Sequence, residues 1–101
     1  MTDKEMLEYA AKAIGEKCEK LGFHKYGLYK PQKGYMQPYV HWNPLTDDGD
    51  ALRLAVKLEL IDEHRWKAPI TGAIFDECNG DWYAATRRAI VRAAAEIGRA
   101  T

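Results

Sequence analysis

Residues 42–58 read WNPLTDDGDALRLAVKL, and this stretch decides the fold prediction. The large aliphatic residues Leu52, Leu54, Val56 and Leu58 fall on alternate positions as in a strand, but Ala, Leu, Arg and Lys favour a helix. Asp50, Arg53 and Lys57 also share one helical stripe, and an Asp/Gly start after Pro44 is typical of a helix N-terminus. We therefore predict a largely buried helix here.

The three aspartates at the start of this helix have two interpretations. Asp47, Asp48 and Asp50 supply the oxygen ligands that Mg²⁺ or Ca²⁺ takes, but the alternating EF-hand pattern and its distant glutamate are missing. Carboxylates at a helix start also accept hydrogen bonds from free backbone amides and oppose the positive end of the helix dipole. We favour the capping role and predict neither a metal nor a cofactor.

Two further helices are predicted at the ends of the chain. Thr2 and Glu5 have the spacing of a capping box, and apolar residues then recur every three or four positions as far as a helix stop at Gly22. The last helix is predicted from Trp82 to Gly98, with Asp81 as its cap.

Strands are predicted between these helices. Phe23 to Tyr29 and Tyr35 to Trp42 flank the turn sequence KPQKG and predict a β-hairpin. Another strand is predicted within Ala68 to Cys78, around β-prone residues, and a short one within Ile61 to Lys67. The expected fold is α+β, an antiparallel β-sheet sandwiched between α-helices in the order α-β-β-α-β(-β)-α.

Two blocks of the sequence carry a family resemblance. Residues 42–58 and the run AATRRAIVRAAAEIGRA at residues 84–100 resemble the phage ABA sandwich domain family, small phage and prophage proteins of mostly unassigned function. The resemblance implies a sheet between helix layers and a phage origin. It implies no catalytic residue, and it does not cover the hairpin.

Length and composition set the class of protein. The 101 residues fit a single domain, 1–101, and the formal net charge is zero. Cys18 and Cys78 have the spacing of neither a disulfide framework nor a metal motif. An acidic N-terminus and the lack of a long apolar run predict neither a signal peptide nor a membrane span, so we expect a cytoplasmic protein.

The predicted hairpin is the leading candidate for a binding surface. It combines aromatic and basic residues that favour protein interfaces or stacked bases, unless a helix layer covers this face. The acidic cluster lies next to it in sequence. The candidate partner-binding residues are Lys25, Tyr29, Lys30, Lys33, Tyr35, Tyr39, Asp47, Asp48 and Asp50.

The resulting hypothesis is a phage-encoded, non-enzymatic binding protein, monomeric or homodimeric, that occupies the surface of a host or phage protein. By analogy with other small phage proteins, it would inhibit host machinery or bacterial defence, as anti-CRISPR proteins do. One alternative is a nucleic-acid-binding module that adds Arg88, Arg92 and Arg99, although these arginines also fit a solvated helix face. A structural homo-oligomer is the other alternative.

Overall fold

A computed structural model describes residues 1–15, 28–31, 39–62 and 65–100. Four helices and two short strands lie in these ranges. They are α1 (Asp3–Ala13), β1 (Leu28–Pro31), β2 (Tyr39–Trp42), α2 (Asp48–Lys57), α3 (Gly72–Glu77) and α4 (Trp82–Ala100).

Helix α4 is the central element, and α1, α2 and α3 all contact it. Its buried face consists largely of small residues, among them Ala85, Ala89, Ala94 and Ala95. Small side chains let neighbouring helices approach closely, and larger residues such as Met6 and Leu7 of α1 then fill the remaining space in the core. The core therefore surrounds one long helix.

Helices α1 and α4 run in the same direction. Asp3 at the start of α1 binds Arg88 in α4, and Gly98, ten residues further along α4, contacts the backbone of Tyr9 and Ala13. At this second contact, a Cβ atom on Gly98 would lie 1.8 Å from the Tyr9 carbonyl oxygen. The two helices thus touch through their backbones.

The capping box that begins α1 is confirmed, but the predicted end of this helix is wrong. The Glu5 backbone N–H donates to Thr2 Oγ1 at 3.2 Å, and the Thr2 backbone N–H donates to Glu5 Oε1 at 3.1 Å. The helix ends at Ala13 rather than near Gly22, because Gly15 takes a φ of +72° that breaks the helical path.

A buried turn leads into α2. Asn43 and Pro44 are buried, and the Asn43 carbonyl oxygen accepts hydrogen bonds from the backbone N–H groups of Thr46 and Asp47. Asp47 is the N-cap and accepts from the Asp50 backbone N–H at 2.8 Å. The prediction of a helix here is confirmed, as is the capping role of Asp47.

The prediction that α2 is largely buried is wrong for one of its faces. Ala51, Leu54 and Ala55 face the core, whereas Leu52 and Val56 are 56% and 61% exposed. Four-residue spacing places these two on one solvent-exposed stripe of the helix.

The α+β sandwich prediction is also wrong. Among the described residues, strands form a two-stranded antiparallel ribbon and an isolated bridge between Ile61 and Trp66, and helices supply most of the core. The ribbon pairs Leu28 with Trp42 and Pro31 with Tyr39. Lys30 and Pro31, which were predicted in the turn, belong to β1 instead. Residues 32–34 of the predicted turn lie outside the described residues, as does Cys18.

The strand predicted within residues 68–78 is instead helix α3. Thr71 Oγ1 accepts from the Ile74 backbone N–H at 3.2 Å, which caps the helix, and Ile74 is 2% exposed. Packing against α4 outweighs the β propensity of this run, because β propensity largely reflects context. Asn79 and Gly80, both at positive φ, end the segment.

Candidate functional site

An open apolar groove of about 360 Å³ lies between α2 and α4; we call it the α2–α4 groove. Its floor includes Ala51 and Ile90, which belong to the buried core. Residues from both helices and from the segment after α2 form its walls. The lining residues are Asp48, Ala51, Leu52, Ile61, Trp66, Tyr83, Thr86, Arg87 and Ile90.

The walls of the groove are apolar and exposed. Tyr83 is 75% exposed, Leu52 56%, Ile61 41% and Trp66 39%. Val56, 61% exposed, lies one helical turn beyond Leu52 and next to the groove lining. Single exposed apolar residues are ordinary on protein surfaces, but a contiguous set around a concavity is typical of an interaction site.

The segment after α2 places Trp66 beside Ile61. These two residues form an isolated antiparallel bridge, and the Lys67 backbone N–H donates to the Leu60 carbonyl oxygen at 2.7 Å. Asp62 Oδ1 accepts from the Arg65 backbone N–H at 2.7 Å. Short backbone contacts, rather than a regular sheet, therefore position the aromatic wall.

An ion pair at the edge of the groove joins its two helices. Arg87 Nη1 lies 2.7 Å from Asp48 Oδ1, and Arg87 Nε donates to the Leu45 carbonyl oxygen at 2.9 Å. The Arg87 side chain is 18% exposed, whereas that of Asp48 is 74% exposed. Arg87 thus ties α4 to the turn before α2 and fixes the width of the groove at this edge.

The three aspartates do not converge on a common centre. Asp47 caps α2, Asp48 binds Arg87, and Asp50 accepts from the Asn43 backbone N–H at 3.0 Å and from Arg53 at 2.7 Å. In the part of the chain that the structure describes, no group of three His, Cys, Asp or Glu residues is placed to hold a metal ion.

The predicted arginines on α4 are paired with carboxylates. Arg88 binds Asp3 at 2.9 Å and Glu77 at 3.1 Å, Arg92 lies 3.4 Å from Glu77, and Arg99 lies 3.9 Å from Glu96. Burial opposes the charge of Arg88, but its hydrogen bonds and attraction to both acids outweigh this effect and raise its pKa. Arg88 thus cross-links α1, α3 and α4.

The predicted hairpin residues are placed only in part. Lys25, Lys33 and Tyr35 lie outside the described residues. In the ribbon, Tyr29 pairs with His41, Lys30 with Val40, and Tyr39 with Pro31. The hairpin surface therefore stays a prediction.

Comparisons with known proteins give no match. No family model, curated protein or solved structure matches it. The resemblance of residues 42–58 and 84–100 to the phage ABA sandwich family accordingly stays a prediction. Within the described ranges, no helix is both long enough and apolar enough to cross a membrane.

The sequence interpretation missed the groove. One signal was available: Leu52 and Val56 lie four residues apart, on a different stripe from Ala51, Leu54 and Ala55. A helix that packs on one side only leaves one of these two stripes exposed. No sequence pattern indicated that Ile61, Trp66 and Tyr83 line the same groove, because residues this far apart meet only in the folded chain.

Proposed function

We propose that this protein is a phage- or prophage-encoded, non-enzymatic binding protein that occupies the surface of a partner protein in the host cytoplasm. In this proposal it inhibits host machinery or bacterial defence, and the α2–α4 groove is its contact surface. The observation that carries the proposal of protein binding is the exposed set of apolar residues around this groove. The phage origin and the inhibitory role rest on the sequence resemblance and analogy.

The size of the exposed surface supports a protein partner. A fully exposed aromatic residue presents about 150–250 Å². Scaled by exposure, Leu52, Val56, Ile61, Trp66 and Tyr83 together present at most roughly 500–600 Å² of surface, within the range of the largest apolar patch of a monomer. When an apolar partner surface covers this area, the removal of apolar surface from water contributes about 25 cal/mol of favourable free energy per Å².

The shape of the groove favours a helix as the partner element. Leu52 and Val56 form a four-residue ridge on α2, and Tyr83 and Arg87 form another on α4. The side chains of a third helix pack between such ridges. An amphipathic helix that presents aliphatic residues therefore fits the groove, a recurrent mode of protein recognition.

Trp66 and Tyr83 are the expected anchors of binding. Tryptophan and tyrosine are enriched among the residues that carry most of the binding energy of an interface. Each also has a polar group, an indole N–H or a hydroxyl, that can bind the partner's backbone at the rim. Truncating either residue should weaken partner binding by at least tenfold, or about 1.4 kcal/mol.

Affinity capture from bacterial lysate, followed by binding measurements with the purified partner, tests the proposal. Leu52→Glu places a charge in the groove wall, and Ile97→Glu is the matched control on the exposed part of α4, outside the groove lining. We expect wild type and Ile97→Glu to bind one partner directly and equally, and Leu52→Glu to bind it at least tenfold more weakly. A partner that binds Leu52→Glu and Tyr83→Ala as tightly as wild type would refute the groove as the contact surface.

The nucleic-acid alternative gains no support from the described residues, because carboxylates already pair with Arg88, Arg92 and Arg99. It remains a prediction with a direct test. Binding to phosphates weakens linearly with salt concentration on logarithmic axes, whereas binding through an apolar groove does not. A steep salt slope with DNA or RNA would favour the alternative.

A further inference from the structure

An exposed ridge on α2 lies directly beside the α2–α4 groove. Leu52 and Val56 are 56% and 61% exposed and form the ridge, and the groove of about 360 Å³ begins on the α4 side of Leu52. A surface of this form is self-complementary, because a two-fold rotation brings the ridge of each copy to the groove of the other. Two-fold dimers require this property.

The charges on α2 fit the same arrangement. Its first turn exposes the carboxylate of Asp48, four residues before Leu52, and its last turn carries Lys57. When two copies of α2 cross in opposite directions, the acidic start of each lies near the basic end of the other, and the helix dipoles also oppose. The formal net charge of the chain is zero, so no long-range repulsion keeps two copies apart.

We infer that the α2–α4 groove binds α2 of a second copy of this chain, which gives a two-fold dimer with antiparallel α2 helices. In this dimer Leu52 of each copy packs against Val56 of the other. The inference shares with the proposed function the premise that the groove binds an amphipathic helix, and it names a helix that fits.

The available area sets the strength of this dimer. At most roughly 500–600 Å² on each copy gives at most about 1,000–1,200 Å² in total, which lies at the low end for specific interfaces. Interfaces of this size are weak and reversible. We expect a dissociation constant on the order of 10 µM, with monomers and dimers in rapid exchange.

Sedimentation velocity of the purified chain between about 5 and 500 µM tests the inference. We expect wild type to shift from monomer to dimer across this range, and the control Ile97→Glu to shift in the same way. Leu52→Glu and Val56→Lys should each stay monomeric, because each homodimer would bury unpaired charges. Both positions are exposed in the monomer, and far-UV circular dichroism checks that both variants fold.

Mixing the two variants distinguishes this geometry from other dimers. In a mixed dimer, Glu at position 52 of one copy faces Lys at position 56 of the other, and the second Leu52–Val56 contact is intact. We therefore expect the mixture to recover dimer although neither variant dimerises alone. Wild type that stays monomeric at 500 µM, a dimer insensitive to Leu52→Glu, or a mixture without dimer would each overturn the inference.

These outcomes are separate from those of the proposed function. A monomeric wild type whose binding to another protein is lost in Leu52→Glu would refute the dimer and retain the proposed function. A dimer with the expected pattern, together with a host partner that binds Leu52→Glu unchanged, would support the dimer and refute the groove as the host-contact surface.

Discussion

Replacing Gly98 with Ala tests the contact between α1 and α4. Adding one methyl group at this position places it 1.8 Å from the Tyr9 carbonyl oxygen and 3.2 Å from the Ala13 backbone nitrogen. Ordinary van der Waals contacts begin at 3.4 Å, so the helices must separate locally by about 1.6 Å. Both neighbouring atoms belong to the backbone of α1, and no side-chain rotation can make this room.

Two opposing effects set the expected loss of stability. Overpacking a core typically costs about 1–3 kcal/mol and sometimes more, and a clash with a helix backbone belongs at or above the upper limit. Alanine regains about 1 kcal/mol relative to glycine inside a helix. The free energy of unfolding should therefore fall by about 2–3 kcal/mol, a large share of the 5–15 kcal/mol that is usual for a domain.

Thermal and urea unfolding of the Gly98→Ala variant measure this loss. We expect Tm to fall by roughly 10–20 °C for a domain of this size. Gly72→Ala in α3 is the matched control, because no atom lies within 4 Å of the added methyl group, and it should raise stability by about 0.4–1 kcal/mol. A Gly98→Ala variant as stable as wild type would show that α1 and α4 do not approach this closely.

Two further predictions concern the turn before α2 and the cap of α1. Asp50→Ala should lower the free energy of unfolding in urea by about 1–3 kcal/mol, because it leaves the buried Asn43 N–H unpaired. Asp48→Ala should lower it by less than about 1 kcal/mol, because the Asp48 carboxylate in its ion pair is exposed. Equal losses would contradict the role of Asp50 in holding this turn. The backbone and side-chain hydrogen bonds of Thr2 hold the pKa of Glu5 below its ordinary value of 4.5. The stabilisation by Glu5 is therefore present above pH 4.5 and lost as pH falls through the lowered pKa, so the Tm difference between wild type and Glu5→Gln should vanish in acid. A difference that persists unchanged to pH 2 would contradict this linkage.

Local signals in the sequence predicted the helix starts well. Thr2, Asp47 and Asp81 each accept a backbone hydrogen bond from the first turn of the helix that follows them, as their spacing predicted. A cap and the amides it binds lie within three residues of each other. Such contacts need no knowledge of the rest of the fold.

The fold class was not predictable in the same way. The run from Ile70 to Phe75 has strand-like composition, and its helical state depends on packing Ile74 into the core beside α4. Thr71, three residues before Ile74, has the spacing of a helix cap. The prediction gave more weight to the β-branched composition than to this cap. Because the sandwich prediction needed a strand here, the error in one six-residue element extended to the whole architecture.

The residues that line the groove were also not predictable from local sequence signals. Leu52 and Tyr83 are separated by 31 positions of the chain, with Ile61 and Trp66 between them, and the four residues meet only once α2 and α4 are packed. No short motif relates these residues. The sequence interpretation instead favoured the tyrosines of the hairpin, which are close in sequence and therefore easy to group.

The parallel packing of α1 and α4 has a consequence for how fast this chain folds. Asp3 and Arg88 are separated by 85 positions, so their contact closes a loop of most of the chain. Loop closure costs entropy that grows with the logarithm of loop length, and helical proteins usually fold rapidly because their contacts are local. Here the residues that bring α1 and α4 into contact are as far apart in sequence as those that pair strands in a β-sandwich. We therefore expect slower folding than the helical content alone indicates, with α2, α3 and α4 free to associate before α1 docks.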